Sequence, residues 1–177
     1  MKLNGAFLID LDPHMDERGF FARSWSTTEY ADHGLNTEIR QCSISFNARK
    51  GTLRGMHYQV SPSEEYKVVR CTAGAIYDVM VDVRATSLTF GQWVSIELSA
   101  ANRLQLYIPV GIAHGFQTLC DASEVFYQIS ADHNPATARG LRWDDPTVQT
   151  SWPDAPNAIV SERDQGYADF DFTSTHE

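Results

Sequence analysis

Five polar side chains occur where predicted strands and turns would ordinarily carry apolar or neutral residues. His57 interrupts the strand-like stretch GTLRGMHYQ, and Lys67 begins the stretch KVVRC. Asp78 and Tyr127 alternate with apolar neighbours, and His114 lies in the turn-like stretch IPVGIAHGF. Burying such groups costs free energy unless they are paired or used. Together they predict a polar cavity in a β-rich domain instead of a wholly apolar core.

His57 is compatible with three kinds of chemistry when it is considered alone. A histidine changes charge near neutral pH and can therefore act as a general base, and its ring nitrogens also bind metals. A single strand histidine is also often an ordinary part of a core. Arg54, three residues earlier, carries a planar cation that suits a carboxylate or a phosphate.

A metal site is the first alternative to acid–base chemistry. Metal-binding cupins usually carry His-x-His followed by Glu, and later Pro-x-Gly-x-x-His-x-x-x-Asn. The stretch PVGIAH fits the later part, but Thr118 occupies the position of the asparagine and Gln59 that of the second histidine. Zinc and iron sites usually need three protein ligands, which His57, His114 and Glu64 would supply only with unusual spacing. We therefore predict no metal and no other cofactor.

The composition limits the range of partners. A chain of 177 residues with 42% hydrophobic and 21% charged residues fits one globular domain, residues 1–177. The net charge of −9 disfavours nucleic acid and anionic membranes as partners, although a small anionic ligand remains possible. No apolar run approaches the roughly 20 residues of a membrane span, and no signal peptide is evident. The cysteines fit neither a zinc nor a disulfide pattern, so we expect a cytoplasmic protein.

The elements that must position these side chains are mainly strands. Apolar and polar residues alternate in AIYDVMVDVR and GQWVSIELS, and LQLYIP, GFQTLC and EVFYQIS follow as short strands between turn signals. This spacing predicts an all-β sandwich or barrel. One short helix is predicted in residues 26–35, with Ser26 or Thr27 as its N-cap. The residues after Pro135 are expected to wrap the barrel as loops and short turns.

The strand AIYDVMVD carries two aspartates, Asp78 and Asp82, that could form structural ion pairs. Asp78 could pair with Arg84 or Lys67, or it could belong to the site. Asp82 and Arg84 are expected to form a structural ion pair.

Several motifs occur in an order that resembles one known family. These are GTLRGMHYQ, KVVRCTAGAIYDVMVDVR, SLTFGQW, IPVGIAHGFQTL, RWDDP, SWP and SERD. They are similar to motifs of the dTDP-4-dehydrorhamnose 3,5-epimerase family, a metal-free branch of the cupins, and the likeness extends from about residue 16 to residue 164. The resemblance implies a β jelly roll (double-stranded β-helix) with a few short helices, a homodimer, and a nucleotide-linked 4-keto-6-deoxy sugar as substrate.

The resemblance also implies roles for individual residues. His57 matches the family's proton acceptor, Tyr127 its proton donor, and Asp164 the carboxylate paired with the base. Lys67 matches the lysine near the keto group, where a cation would stabilise the enolate oxygen. The residues expected to bind the substrate are Arg18, Arg23, Gln41, Ser43, Arg54, His114, His133 and Arg163. Family analogy further suggests that the dimer exchanges an N-terminal strand.

Four positions depart from the pattern of better-known members. Arg23 occupies the position of a glutamate, Ser43 that of an asparagine, His133 that of an aromatic residue, and Ala138 that of a glutamate. Because Arg donates hydrogen bonds where Glu accepts them, we hypothesise a changed nucleotide or sugar, with GDP and CDP possible beside dTDP. His133 could also change which carbon is inverted, C3 or C5.

Two further functions stay open beside the epimerase. One is a non-catalytic cupin that binds sugar nucleotides, and it has no need for both an acid and a base. The other is a metal-dependent cupin enzyme, against which the missing His-x-His motif argues.

Overall fold

The computed structural model of the protein describes residues 2–171. Within that range the main elements are strands, with helix α1 (Thr27–Asp32) and helix α2 (Glu162–Gln165). The strands are β1 (Phe7–Ile9), β2 (His14–Asp16), β3 (Gly19–Phe21), β4 (Gln41–Asn47), β5 (Thr52–Gln59), β6 (Lys67–Ala73), β7 (Ala75–Asp82), β8 (Trp93–Ser99), β9 (Gln105–Ile108), β10 (Ile112–Thr118), β11 (Ser123–Ile129), β12 (Ala138–Gly140) and β13 (Ile159–Val160). The predicted all-β class is confirmed.

Two antiparallel sheets pack against each other. One sheet has the strand order β1-β9-β6-β11-β4, and the other has the order β12-β5-β10-β7-β8, with β13 pairing in parallel with β5. The strands β2 and β3 form a separate hairpin. The chain passes from one large sheet to the other between β6 and β7, at the turn predicted for Ala73-Gly74.

The core has two main layers. Between the sheets, buried side chains from both meet, among them Val69, Leu106, Ile76, Met80 and Phe116. The outer face of the six-stranded sheet is covered by the C-terminal segment, where the buried residues include Val79, Val81, Leu141, Trp152 and Phe170. This second layer agrees with the prediction that the residues after Pro135 wrap the barrel.

The predicted helix is present and is short. Helix α1 begins after its N-cap Ser26, whose Oγ accepts a hydrogen bond from the backbone N–H of Glu29 at 3.4 Å. Such a cap satisfies one of the N–H groups that the first turn leaves without a partner. The helix buries Tyr30 against Tyr66 and Tyr107.

The predicted ion pair of Asp82 and Arg84 is confirmed. Asp82 is fully buried, and Arg84 donates to its two carboxylate oxygens at 2.9 Å from Nε and 2.7 Å from Nη2. The hydroxyls of Ser87 and Thr89 each donate to Asp82 Oδ2 at 2.6 Å. Burial by itself would raise the pKa of Asp82, but these hydrogen bonds outweigh it and hold the pKa below 3.8.

Asp82→Asn is expected to lower the free energy of unfolding by about 2–4 kcal/mol at pH 7, because Arg84 loses a buried charged partner. A carboxylate with a depressed folded-state pKa stabilises the fold above its unfolded-state pKa and loses this effect as the pH falls through the folded-state pKa. The difference between parent and variant should therefore shrink below about pH 4. Urea unfolding at pH 7 and pH 3 measures both values. The exposed Asp32→Asn is the control, and a difference that grows in acid would contradict the prediction.

Candidate active site

A cavity of about 520 Å³ opens between the two large sheets. Its lining includes every residue that the sequence analysis assigned to the site except Arg18 and Arg23: Gln41, Ser43, Arg54, His57, Lys67, His114, Tyr127, His133, Arg163 and Asp164. The strands β4, β6 and β11 supply one wall, and β5 and β10 supply the opposite wall. The fold therefore brings together residues that are far apart in the sequence.

A β-bulge puts Arg54 and His57 on the same face of β5. Side chains three residues apart on a regular strand point to opposite faces. On β10, however, His114 lies opposite His57 while Phe116 lies opposite Arg54, so β5 carries one extra residue between them. Gly55 makes this possible: its φ is +129°, and a Cβ there would lie 2.5 Å from the Cα of Gly115.

His57 and Asp164 form a hydrogen-bonded pair, with 2.7 Å between Nε2 and Oδ1. The other carboxylate oxygen of Asp164 accepts the backbone N–H of Gly55 at 3.2 Å. Ser161, the N-cap of α2, accepts the backbone N–H of Asp164 at 3.2 Å and so holds the aspartate in place. Asp164 has 6% of its side chain exposed, against 39% for His57.

The ionisation of Asp164 determines which nitrogen of His57 is basic. Burial acts to raise the pKa of Asp164, but the hydrogen bond and charge of His57, together with the Gly55 N–H and Ser161, hold the pKa below its usual 3.8. Asp164 is therefore a carboxylate at neutral pH and can only accept. His57 must donate from Nε2, which leaves Nδ1 of the neutral ring able to take a proton.

A second histidine–aspartate pair lies beside the first. His114 Nε2 is 2.8 Å from Asp78 Oδ2, and both side chains are buried. Burial raises the pKa of Asp78, opposed by the charges of His114 and Lys67. Of the two alternatives left open for Asp78, the structure shows a structural pair, but with the imidazole of His114 instead of Arg84 or Lys67, and Asp78 is not among the residues that line the cavity. Among residues 2–171, Asp78 Oδ1 has no hydrogen-bond partner.

Lys67 is paired with a residue that the sequence analysis did not select. Its Nζ lies 2.8 Å from Glu65 Oε1, and Gln59 donates to Glu65 Oε2 at 3.0 Å. Both Glu65 and Gln59 line the cavity. The available signal was the spacing, because residues two apart in an extended segment point to the same side. The pair keeps one cation and one anion together at the wall of the cavity.

Tyr127 faces the cavity from β11, in the sheet opposite the one that carries His57. Burial raises the pKa of Tyr127 well above 10.0, and the negative charge of Asp78 adds to this while Arg54 opposes it. The hydroxyl is thus protonated at neutral pH and can donate. The ring also packs edge to face with that of His114, with centroids 6.2 Å apart.

Arg18 and Arg23 lie outside the cavity of the single chain. Arg18 lies in the turn between β2 and β3, where its Nη2 is 2.5 Å from Asp16 Oδ2 and 85% of its side chain is exposed. Arg23 Nη1 lies 2.6 Å from Glu29 Oε1, also at the surface. The residues of one chain therefore do not bring these two cations to His57.

Neither a metal-ligand cluster nor a membrane-spanning helix occurs in the described part of the chain. In residues 2–171, no group of three His, Cys, Asp or Glu side chains is arranged to hold a metal ion, and Glu64 lines a different cavity from His57 and His114. No helix in the same range has the length and apolar character needed to cross a membrane.

The sequence matches the model of the dTDP-4-dehydrorhamnose 3,5-epimerase family over residues 1–171. It is 43% identical over 153 residues to the enzyme of that name from Sinorhizobium fredii, an alignment that covers 84% of this chain and 76% of the relative. It is 40% identical over 161 residues to the enzyme of that name from Shigella flexneri, covering 89% of this chain and 88% of the relative.

The fold of this chain closely resembles those of solved structures. The dTDP-4-dehydrorhamnose 3,5-epimerase of Elizabethkingia anophelis superposes with a TM-score of 0.92 and 34% identity, over 96% of this chain and 93% of that one. A dTDP-6-deoxy-D-glucose-3,5-epimerase of Legionella pneumophila, in complex with dTDP-4-keto-L-rhamnose, gives a TM-score of 0.88 at 34% identity, over 94% of this chain and 88% of that one. The prediction of a jelly-roll cupin is thereby confirmed.

Proposed function

The chain belongs to the dTDP-4-dehydrorhamnose 3,5-epimerase family. We propose that the residues lining its cavity carry out the family's reaction, with His57 as the base, Tyr127 as the acid and Lys67 as the stabiliser of the enolate. The protein is an isomerase that acts on a nucleotide-linked 4-keto-6-deoxy sugar. It inverts C3, C5 or both, by removing a proton beside the C4 ketone and returning one to the opposite face. In this proposal one domain, residues 1–177, carries the acid, the base and the lysine named below.

His57 is the base in this proposal. Its Nδ1 takes the proton from the carbon beside the ketone, and the electron pair left behind forms the carbon–carbon double bond of an enolate. Asp164 accepts the hydrogen bond from Nε2 and stabilises the imidazolium that results. The imidazolium later releases its proton to solvent, which restores the neutral base.

Lys67 and Tyr127 complete the reaction. The ammonium of Lys67 stabilises the negative enolate oxygen, and a charged donor aimed at that atom lowers the barrier. Tyr127 then gives its proton to the same carbon from the other side and regains one from solvent. The observation that carries the proposal is this placement: His57 and Tyr127 project into one cavity from opposite sheets. A base and an acid on opposite sides of the sugar are what inversion requires.

The substrate carries dTDP, the nucleotide of the Legionella pneumophila complex. Arg54 and Arg163 are the cavity's candidates for the diphosphate, since guanidinium groups bind phosphate oxygens in pairs. Gln41, Ser43 and His133 are placed to contact the nucleotide or the sugar, and His114 lies deeper. Turnover of dTDP-, GDP- and CDP-linked sugars side by side tests this assignment. A clear preference for dTDP is expected and would refute the changed-nucleotide hypothesis, whereas a preference for GDP or CDP would support that hypothesis.

A homodimer is part of the proposal. Large apolar side chains are exposed on the β2–β3 hairpin and on β4, including Met15 (71%), Phe21 (73%), Ile44 (64%) and Phe46 (59%). A second copy that covers them would bury apolar surface, and an exchanged N-terminal segment would carry Arg18 and Arg23 towards the partner's cavity. Sedimentation equilibrium at assay concentration measures the state, and a monomer there would contradict this part of the proposal.

A cytoplasmic location is also proposed. Cys42, Cys71 and Cys120 are free thiols, as is usual in a reducing compartment. The spacing of these cysteines, which fits neither a zinc nor a disulfide pattern, favours the same location.

Incubation with dTDP-4-keto-6-deoxyglucose in D₂O, followed by NMR, tests the proposed function. We expect deuterium at C3, C5 or both, accompanied by inversion at the labelled carbon. The labelled positions report the regiochemistry, including any effect of His133. The absence of incorporation with each of the dTDP-, GDP- and CDP-linked keto sugars would refute the enzyme assignment.

A further inference from the structure

Tyr167 lies against His57 and has no role in the mechanism proposed above. The two rings meet edge to face, with centroids 6.0 Å apart and an interplanar angle of 68°. Tyr167 follows closely after α2, the helix that carries Asp164. One short segment therefore supplies both the hydrogen bond and the ring contact to the imidazole.

A glycine provides the space for this ring. β12 pairs with β5 so that Gly140 lies opposite His57, on the side of β5 away from His114. A Cβ at Gly140 would lie 2.3 Å from Cζ of Tyr167 and 2.4 Å from its Cε2. Because position 140 has no side chain, the ring of Tyr167 occupies the place beside His57 that a cross-strand neighbour would otherwise fill.

The hydroxyl of Tyr167 does not account for its position. In the part of the chain that the structure describes, this oxygen is buried and has no hydrogen-bond partner. Leaving a buried polar group unpaired costs free energy. Tyr167 is also not among the residues that line the cavity. Tyr167 therefore contacts His57 through its aromatic ring and not through its hydroxyl.

We propose that Tyr167 is a positioning residue for the base, an inference that rests on the proposed role of His57. The side chain of His57 is 39% exposed, and the bond that turns a histidine ring has broad, shallow minima. A single hydrogen bond to Asp164 leaves the ring able to tilt, and a sufficient tilt carries Nε2 away from Oδ1. The edge-to-face contact with Tyr167 restrains that tilt, so that Nε2 stays on Asp164 while Nδ1 meets the substrate.

Tyr167→Leu and Tyr167→Phe test the proposal as a pair. The leucine variant removes the aromatic ring, and we expect kcat to fall roughly 10-fold to 100-fold with KM changed less than about twofold, because a small misplacement of a reacting group has this effect. The phenylalanine variant keeps the ring and should retain the parent's kcat. Tyr77→Leu is the matched control, because Tyr77 makes a similar contact with Trp152 (centroids 6.2 Å apart) outside the cavity.

Nitrogen-15 NMR of the imidazole provides a second measurement that does not need turnover. The His57 signals, assigned by their loss in His57→Asn, should report one protonated Nε2 in the parent and in Tyr167→Phe, and an averaged pair of nitrogens in Tyr167→Leu. Parent-like imidazole signals in the leucine variant would overturn the proposal, whatever its kcat. An equal loss of kcat in both variants would overturn it too, because the hydroxyl would then be responsible.

Folding and function can be separated in the same experiment. Thermal unfolding of each variant shows whether it is folded, and Tyr167→Met, which fills space with a flexible chain, replaces the leucine variant if that one unfolds. A parent protein without epimerase activity would refute the proposed function, while the imidazole signals would still decide whether Tyr167 orients His57.

Discussion

His57→Asn is expected to slow both deuterium exchange and epimerisation by about 10²-fold to 10⁴-fold, the range that a positioned general base contributes. Asparagine has no nitrogen that takes a proton at neutral pH, but it can still donate a hydrogen bond to Asp164. Binding of dTDP should be nearly unchanged, because the substituted atoms are assigned to the sugar end of the cavity. Exchange is followed by NMR in D₂O and binding by calorimetry.

His33→Asn is the control for that variant. His33 is exposed at the end of α1, where its Nδ1 lies 2.7 Å from the backbone oxygen of Glu29. It should leave exchange and epimerisation at the parent's rates. If His57→Asn instead kept the parent's exchange rate, the base would have been misassigned, and His114 would be the next residue to test because it lies opposite His57 on β10.

Tyr127→Phe is expected to separate exchange from inversion. Without the hydroxyl, His57 can still remove a proton and return a deuteron to the same face, so label should enter the sugar with its configuration retained. Inversion should fall by about 10²-fold to 10⁴-fold, since the opposite face has lost its acid. NMR coupling constants distinguish the two configurations in the same sample that reports the label.

Tyr77→Phe is a suitable comparison, because Tyr77 packs on Trp152 under the C-terminal segment and away from the cavity. It should invert the substrate at the parent's rate. Inversion by Tyr127→Phe at the parent's rate would assign the acid to another group. Loss of exchange together with inversion would mean that Tyr127 also takes part in removing the proton.

The cavity combines two histidine–aspartate pairs with different environments. Asp164 has a lowered pKa and a partly exposed partner, whereas Asp78 has a raised pKa and a buried partner. The first arrangement suits a base that must meet substrate. The second lies near Tyr127, whose pKa is raised first by burial and then by the Asp78 carboxyl, so that the hydroxyl stays protonated. Base and acid thus each have an aspartate nearby.

Much of the site was predictable from sequence because the signals are local or lie within motifs. Alternating strands indicated the all-β class, and polar residues at apolar strand positions indicated a cavity. The motif order indicated the family, and with it His57, Tyr127, Lys67 and Asp164. These inferences need only which residue types occur and in what order along the chain.

Other features depend on distances between segments that are remote in sequence. Asp78 pairs with His114, because the register of β7 against β10, and not charge alone, determines which partner is near. Arg18 and Arg23 lie within the part of the sequence that resembles the family, but both are outside the cavity of the single chain.

The stretch GTLRGMHYQ illustrates the division. Its sequence determined that a histidine and an arginine occur three residues apart in a strand, a spacing that regular alternation would put on opposite faces. Only the tertiary structure decided that both reach one cavity. The close approach of Gly115 admits only a glycine at position 55. The bulge there adds one residue to β5, which shifts the alternation of side chains between the two faces by one position. Packing between β5 and β10, and not the local sequence, sets that geometry.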